Sequence, residues 1–220
     1  MSTRLAVVVP AANEQDTIGA CLEAVLTAAA ATGGRVEIVV VLDACTDATA
    51  DVIASFPVTA VPCGHGNVGA ARRLGARHAL PALGADGVLV STDADSLVPA
   101  DWLVELAAMT RTADLVLGTV VPGAGLPADV ERDWYRRHEL RDGHPHVHGA
   151  NLAIRAGAYR RLGGWRPIAS GEDTDLAARA AAAGLRIHRT GRVPVRTSPR
   201  LHGRTPHGFS SYLRGLGEPV

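Results

Sequence analysis

Three short stretches of this 220-residue chain carry side chains able to do chemistry. The first, VLVSTDADS, climbs from apolar residues to Asp93 and Asp95. Alternate residues of an extended chain face one side, so the two carboxylates can share a hard divalent cation, Mg2+ or Mn2+, directly or through water. Asp95 and Ser96 also suit a plain turn before the next helix, so position has to decide between the two readings. The second stretch, GEDTDL, sets Glu172 and Asp173 at the start of a helical pattern. Acidic residues there cap amides and complement the helix dipole. The same place can hold a general base, with Glu172 orienting and Asp173 reacting. The third, HPHVHGAN, carries His144, His146 and His148 at alternate positions. It has the look of a zinc site. In an extended chain, however, the outer two histidines stand about 13 Å apart, too far for one zinc with Zn–N bonds of about 2 Å. Pro145 weakens a regular strand and no cysteine stands nearby, so zinc is not predicted.

The elements that must position these groups alternate. LAVVVP, VEIVVVLD and GVLVSTDAD are apolar runs of the kind buried on both faces of a sheet, with VTAVPC a weaker strand and DLVLGTVV a fifth. Between them, helical spacing is read after Asn13, over DATADVIASF, over roughly 68–80 and from about 101 to 110. This alternation predicts an α/β fold with a mostly parallel, doubly wound sheet flanked by helices. The second half is less regular. PADVERDWYRRHELR, AGAYRRLGG and EDTDLAARAAAAG read as helices, VHGANLAIR as strand and turn, and LRIHRTGRVPVRTS as a last strand or two. Ligands of open α/β sheets bind beyond the carboxyl ends of the strands. Those ends carry Asn13 and Glu14, Asp43 and Asp47, and Asp93 and Asp95, which makes an acidic rim suited to a metal or a polyhydroxyl ligand.

Composition removes several alternatives. Hydrophobic residues make up 47%, enough for one sizeable core, and the formal net charge is zero, with no pull toward nucleic acid. The chain contains no lysine, which excludes a GK[ST] phosphate loop and a pyridoxal Schiff base. No G-x-G-x-x-G follows the first strand, so a dinucleotide fold is rejected. GNVGAARRLGARHA does join a Gly-rich turn to a helix start with arginines, a place suited to anions. Cys21, Cys45 and Cys63 are an odd set without paired spacing, which points to a reducing compartment. With an opening that reads as a strand, not as a signal or membrane segment, the expectation is a cytoplasmic protein without a transmembrane span.

Six motifs in order, VVVPAANEQDTIGACLEAV, VVVLDACTDAT, GNVGAARRLGARHA, STDADS, GANLAIRAGAYRRLGGW and GEDTDLAARAAAAG, give the chain a resemblance to the family-2 glycosyltransferases. These are inverting enzymes of GT-A fold that use nucleotide-diphosphate sugars. The resemblance covers roughly residues 5–187. It implies one GT-A-like domain over 1–220, with a nucleotide-binding half (1–97), an acceptor-side half (98–190) and a C-terminal tail (191–220) able to close over donor. It further implies that Glu14 lies against the nucleoside, that Asp43 reads the base, and that Arg72 contacts base or diphosphate. Asp93 would lie near the ribose, Asp95 would bind Mn2+ or Mg2+, and Asp173 would be the catalytic base. His148 and Asn151, with Glu172, fall on the acceptor side, while His144 and His146 are expected on the loop or surface. In the tail, His202 or His207 would complete the metal shell, and Arg200 and Arg204 would serve the diphosphate.

Two departures bear on this. Relatives often read D-D-G-S-T-D where this chain has LDACTD, so Leu42 replaces one acid. The Q-x-x-R-W motif of processive synthases is absent. The expected donor is a UDP-sugar and the acceptor a small or lipid-linked molecule; a homodimer stays open. Two rivals remain. A sugar-phosphate nucleotidyltransferase would want a Gly-rich basic loop where this chain reads PAANEQ. A non-catalytic nucleotide-sugar-binding protein would not need Asp95 and Asp173.

Overall fold

Valine-rich runs form the centre of the sheet. In the computed structural model, which describes residues 3–201 and 209–216, β1 (Leu5–Ala11) pairs in parallel with β2 (Val36–Asp43), and β2 with β3 (Thr59–Cys63). β4 (Val88–Ser91) lies parallel on the other side of β1. Between the strands run α1 (Ile18–Ala31), α2 (Thr49–Ile53) and α3 (Val68–Leu83). Side chains alternate along β1. Val7 and Val9 enter one core with Ile18, Leu22 and Val25 of α1, while Ala6 and Val8 enter a second core with Ala71, Ala76 and Ala79 of α3. Burial on both faces is the reason these strands read as continuous apolar runs.

Beyond β4 the sheet becomes mixed. The remaining elements are β5 (Ser96–Leu97), α4 (Trp102–Met109), β6 (Leu115–Pro122), α5 (Ala128–Arg137), a 3-10 turn at Gly149–Asn151, β7 (Leu152–Arg155), α6 (Ala156–Arg161), α7 (Glu172–Ala182), β8 (Ile187–Thr197) and α8 (Phe209–Leu216). The strand order is β3-β2-β1-β4-β7-β6-β8-β5. Four neighbouring pairs are parallel (β1–β2, β1–β4, β2–β3, β6–β8), and β7 runs antiparallel to both β4 and β6. The expected fifth strand is therefore β6, but it does not touch β4. β7 fills the place between them, and the chain that leads into β7 crosses the sheet's carboxyl edge on its way. DATADVIASF forms only one and a half turns of helix, and the tail, which shows no period, holds α8 against α5 through Trp134, Val130 and Leu213. No helix among the described residues is long and apolar enough to cross a membrane, and the three cysteines are free thiols.

Candidate active site

A cleft of about 730 Å3 opens beyond the carboxyl ends of β1, β2 and β4, the place where open α/β sheets bind ligands. Glu14, Asp43, Arg72, Asp93, Asp95, His148, Glu172, Asp173 and Arg200 all line it. The backbone at its rim is strained: Asn13 (φ 50°) and Ala44 (φ 53°), just past β1 and β2, are non-glycine residues in the left-handed region.

One wall is acidic. Glu14 accepts both guanidinium nitrogens of Arg200, each at 2.9 Å, and the Thr17 hydroxyl at 2.8 Å. The same Arg200 reaches Asp95 at 2.9 Å. Asp95 is held by the short β5–β8 pairing, where Ser198 N–H donates to the Asp95 carbonyl (3.1 Å) and the Thr197 hydroxyl to its carboxylate (3.3 Å). Burial, with Asp93 beside it, pushes the Asp95 carboxyl up to about 6, while Arg200 pulls it down. Asp43 is turned to a structural duty as well. Its carboxylate accepts the amides of His65 (2.9 Å), Gly66 (2.9 Å) and Asn67 (2.7 Å). The turn before α3, expected to cradle an anion, is thus filled by the chain's own carboxylate, and Asn67 caps the helix through the Ala70 amide (2.9 Å).

Arg72 joins this wall to the other. Buried to 3% exposure, its guanidinium bonds Asp93, Glu172 and, at 3.1 Å, the Ser91 hydroxyl. It is a bridge between two carboxylates that stand far apart in sequence, a more internal position than the expected contact to base or diphosphate. Gly149 permits it: a Cβ there would stand 2.5 Å from the guanidinium. Arg73, its neighbour, ties the Gly163 and Trp165 carbonyls.

On the far wall, Asp173 accepts the Gly149 amide (2.7 Å) with one oxygen and the Thr174 amide (2.7 Å) with the other. His148 stands beside it, and burial drives that imidazole down to about 4 against the pull of Asp173. Two expectations are corrected here. Asn151 does not face the cleft. Fully buried, it donates to the Thr119 and Val193 carbonyls (2.8 Å each) and accepts from the Trp102 indole (2.9 Å), so its whole amide is spent on joining β6, β8 and α4. His144 is no surface residue: it is fully buried, with Nε2 donating to the Leu117 carbonyl (3.1 Å). His146 lies on the loop as expected, and it lines the cleft together with His138, Phe209 and Tyr212, none of which the sequence singled out. The spacing of His138 from the HPHVH run was the available signal. His202, Arg204 and His207 lie outside the described residues.

The cleft carries oxygen donors suited to a hard cation. Among the described residues no three His, Cys, Asp or Glu side chains converge on one point. Asp95, half-buried and drawn to a positive partner, nevertheless fits a Mg2+ or Mn2+ ion that takes one or two carboxylates and fills its shell with substrate oxygens.

The arrangement has parallels among solved structures. The chain is similar to residues 1–349 of S. aureus TarS in complex with UDP (17% identity, TM-score 0.64, covering 90% of this chain and 61% of that one). It is similar to the mannosyltransferase PcManGT from Pyrobaculum calidifontis in complex with GDP-Man and Mn2+ (24%, 0.70, 98% and 61%). It is also similar to GalNAc-T7 with UDP, GalNAc and Mn2+ (16%, 0.63, 92% and 46%). It spans less than two thirds of each of them, and at these identities the likeness shows the fold. No curated protein matches it in sequence. The sequence makes the assignment itself, because residues 6–163 match the family described as Glycosyl transferase family 2, and the chain belongs to that family.

Proposed function

We propose that this chain moves a sugar from a nucleotide diphosphate sugar to an acceptor hydroxyl, with inversion at the anomeric carbon. The observation that carries the reading is one cleft with two unlike walls. Glu14, Asp43, Asp93 and Asp95 stand on one side, His148, Glu172 and Asp173 on the other, and Arg72 ties them together. Family membership supports the same class of reaction.

In this reading the donor lies along the acidic wall and the acceptor enters beside His148. Asp173 is fixed by two amides at the start of α7. It takes the proton of the acceptor hydroxyl as that oxygen attacks the anomeric carbon. The new C–O bond forms on one face while the bond to the diphosphate breaks on the other, and the electron pair leaves with the nucleotide. Glu172, held by Arg72, orients the helix start that presents Asp173. A bound Mn2+ or Mg2+ would be held by Asp95 and would supply neutralisation of charge on the diphosphate. The Mn2+ in the PcManGT and GalNAc-T7 structures supports this. Arg200 brings a positive charge to Asp95 and Glu14. In this reading the same guanidinium also serves the diphosphate of the donor.

The donor is proposed to be a UDP-sugar, as bound by TarS in its complex with UDP-GlcNAc. GDP-Man, bound by PcManGT, is the comparison donor. The test is Asp173→Asn, assayed for donor binding by calorimetry and for transfer by product formation. Donor affinity is expected to persist while turnover falls about 10²–10⁴-fold. Near-normal turnover would remove Asp173 from the role of base.

A further inference from the structure

A second cavity, of about 230 Å3, opens between α3 and α6 and shares no lining residue with the active cleft. Arg73, Arg77 and Leu80 reach it from one face of α3, as their spacing requires. Tyr159 and Arg160 reach it from α6, and Gly163 and Gly164 from the turn behind that helix. Two of the arginines span the groove in opposite directions. Arg73 reaches from α3 to the Gly163 (3.2 Å) and Trp165 (3.0 Å) carbonyls. Arg160 reaches back from α6 to the Leu80 (2.8 Å) and Gly84 (2.7 Å) carbonyls at the end of α3. Arg77 stands one turn along α3 from Arg73, and its guanidinium has no hydrogen bond or ion pair among the described residues.

Arginines beside helix C-termini cap carbonyls, and Arg73 and Arg160 do so here. Capping does not balance the charge. Each helix end supplies about half a negative charge, against three full positive ones, and Arg77 serves neither end. Among the described residues no carboxylate pairs with any of the three: Asp86 is taken by Arg155, and Asp175 by Arg166 and Arg179. Hydrogen bonding is unbalanced in the same sense. The carbonyls of Leu80, Tyr159, Arg160, Gly163 and Gly164 are all taken. Donors are left over. Arg73 makes both of its bonds through Nη1, which leaves Nε and Nη2, and Arg160 keeps Nε. Tyr159 adds a buried hydroxyl, whose oxygen accepts the Trp165 amide (3.1 Å) and whose proton has no acceptor among the described residues. Burial pushes that hydroxyl up to about 12, against the pull of Arg73 and Arg179, so it stays a donor at neutral pH.

We infer that the cavity between α3 and α6 is an anion site, and that it takes a terminal phosphate group. Phosphate oxygens only accept, as a wall of unspent donors requires, and the guanidinium fork matches them two at a time. A doubly charged group also offsets the repulsion between Arg73 and Arg77, like charges four residues apart on one helix face. The cavity is small, so a larger ligand would seat its phosphate there and leave the remainder outside. Inorganic phosphate, a small phosphate ester and a lipid headgroup share this chemistry, and the test separates them. The inference does not depend on the transfer reading above, because none of these residues belongs to the cleft.

The test uses the full chain, with sodium chloride exchanged for each probe at constant ionic strength. Inorganic phosphate and glycerol 3-phosphate are followed by calorimetry, and phosphatidylcholine vesicles containing phosphatidic acid by co-sedimentation. At least one probe should bind saturably. Equal binding of the two soluble probes assigns the phosphate group alone, tighter glycerol 3-phosphate assigns an ester, and vesicle binding alone assigns a headgroup. Arg77→Gln should weaken the responding probe about tenfold. Arg77→Glu, which sets a carboxylate in the cavity, should abolish its binding. Neither variant removes a bond from the fold, so the thermal midpoint without probe should not fall. Glu218 is the one acidic side chain outside the described residues, and Glu218→Gln should leave the affinity unchanged. The inference is overturned if no probe binds, or if Arg77→Gln binds as the parent does, which would put the phosphate elsewhere. It is also overturned if Glu218→Gln tightens binding severalfold, since the cavity would then seat the chain's own carboxylate.

Discussion

The two walls of the cleft are built from opposite materials. The acidic wall grows from strand ends, and each carboxylate is pinned by amides or guanidinium groups: Asp43 by three amides, Glu14 and Asp95 by Arg200, Asp93 by Arg72. The ring wall grows from the segment between α5 and β7 and from α8, and it is held by stacking. The first wall is organised by charge on a rigid sheet, the second by uncharged surface on a long connection. The transfer proposed above, which needs room for an anionic nucleotide donor and a separate acceptor, is served by such a division. The electrostatic work stays where geometry is firmest, and adaptable shape stays where the chain tolerates change.

The strongest way to break this division is to remove its joint. Arg72→Ala leaves the carboxylates of Glu172 and Asp93 facing each other with nothing between them. Losing one partner of a buried pair costs about 3–5 kcal/mol, so a large fall in the thermal midpoint is expected. Arg72→Lys should recover only part of it, since one ammonium cannot fork between two acids. Equal stability of the three proteins in a denaturant titration would refute the bridging role.

A smaller effect separates the acidic wall from the ring wall. Arg200→Gln removes the positive partner of Glu14 and Asp95. Bonds to charged groups contribute about 1.5–3 kcal/mol, and the lower end applies because the Arg200 side chain is 37% exposed. In a domain of this size that is roughly 3–6 °C. Added Mn2+ should raise the midpoint of the variant more than that of the parent. Equal gains in a thermal-shift assay would mean that Arg200 and the cation do not compete for Asp95.

The mildest test is acid, which acts on the walls with opposite signs. An unfolded histidine titrates near 6.5, whereas burial holds folded His148 down to about 4. Between those values the unfolded chain binds the proton and the folded one does not. The ring wall's contribution is therefore complete above 6.5 and is lost as the pH falls toward 4. Asp95 behaves in reverse. Its carboxyl is raised from 3.8 to about 6 by burial and Asp93, so the folded protein binds the proton first and gains stability as the pH falls through that window. His148→Asn should flatten the acid side of a plot of midpoint against pH, and Asp95→Asn should steepen it. Parallel curves for both variants and the parent would break the contrast.

Much of this could be read before folding. The Val runs of β1, β2 and β4, the helices α3 and α7, and the acidic strand ends follow from periodicity and position, and they place Glu14, Asp43, Asp95 and Asp173 in the cleft. What escaped depends on contacts that local pattern does not encode. An apolar run such as Leu152–Arg155 looks the same whichever way it pairs, so the antiparallel insertion of β7 left no trace. The resemblance put Asn151 on the acceptor side, yet its amide closes three buried bonds. His144 was expected on the loop or surface, and it is on the loop, but its ring turns inward to Leu117. The bond of Arg72 to Glu172 joins residues 100 positions apart, beyond the reach of any spacing rule.

The connection from His138 to His148 leads from the end of α5 back to the sheet at β7, and on the way it bonds β6 through His144 and β8 through Asp142 and the His144 and His146 carbonyls. It is anchored to its neighbours at one end and open at the other: His144 is locked into β6 through the Leu117 carbonyl, while the half-buried His146 and His148 look into the cleft. Under the transfer proposed above, change at the open end alone would alter what the cleft admits, whereas change at His144 would loosen the hold of the whole connection on the sheet.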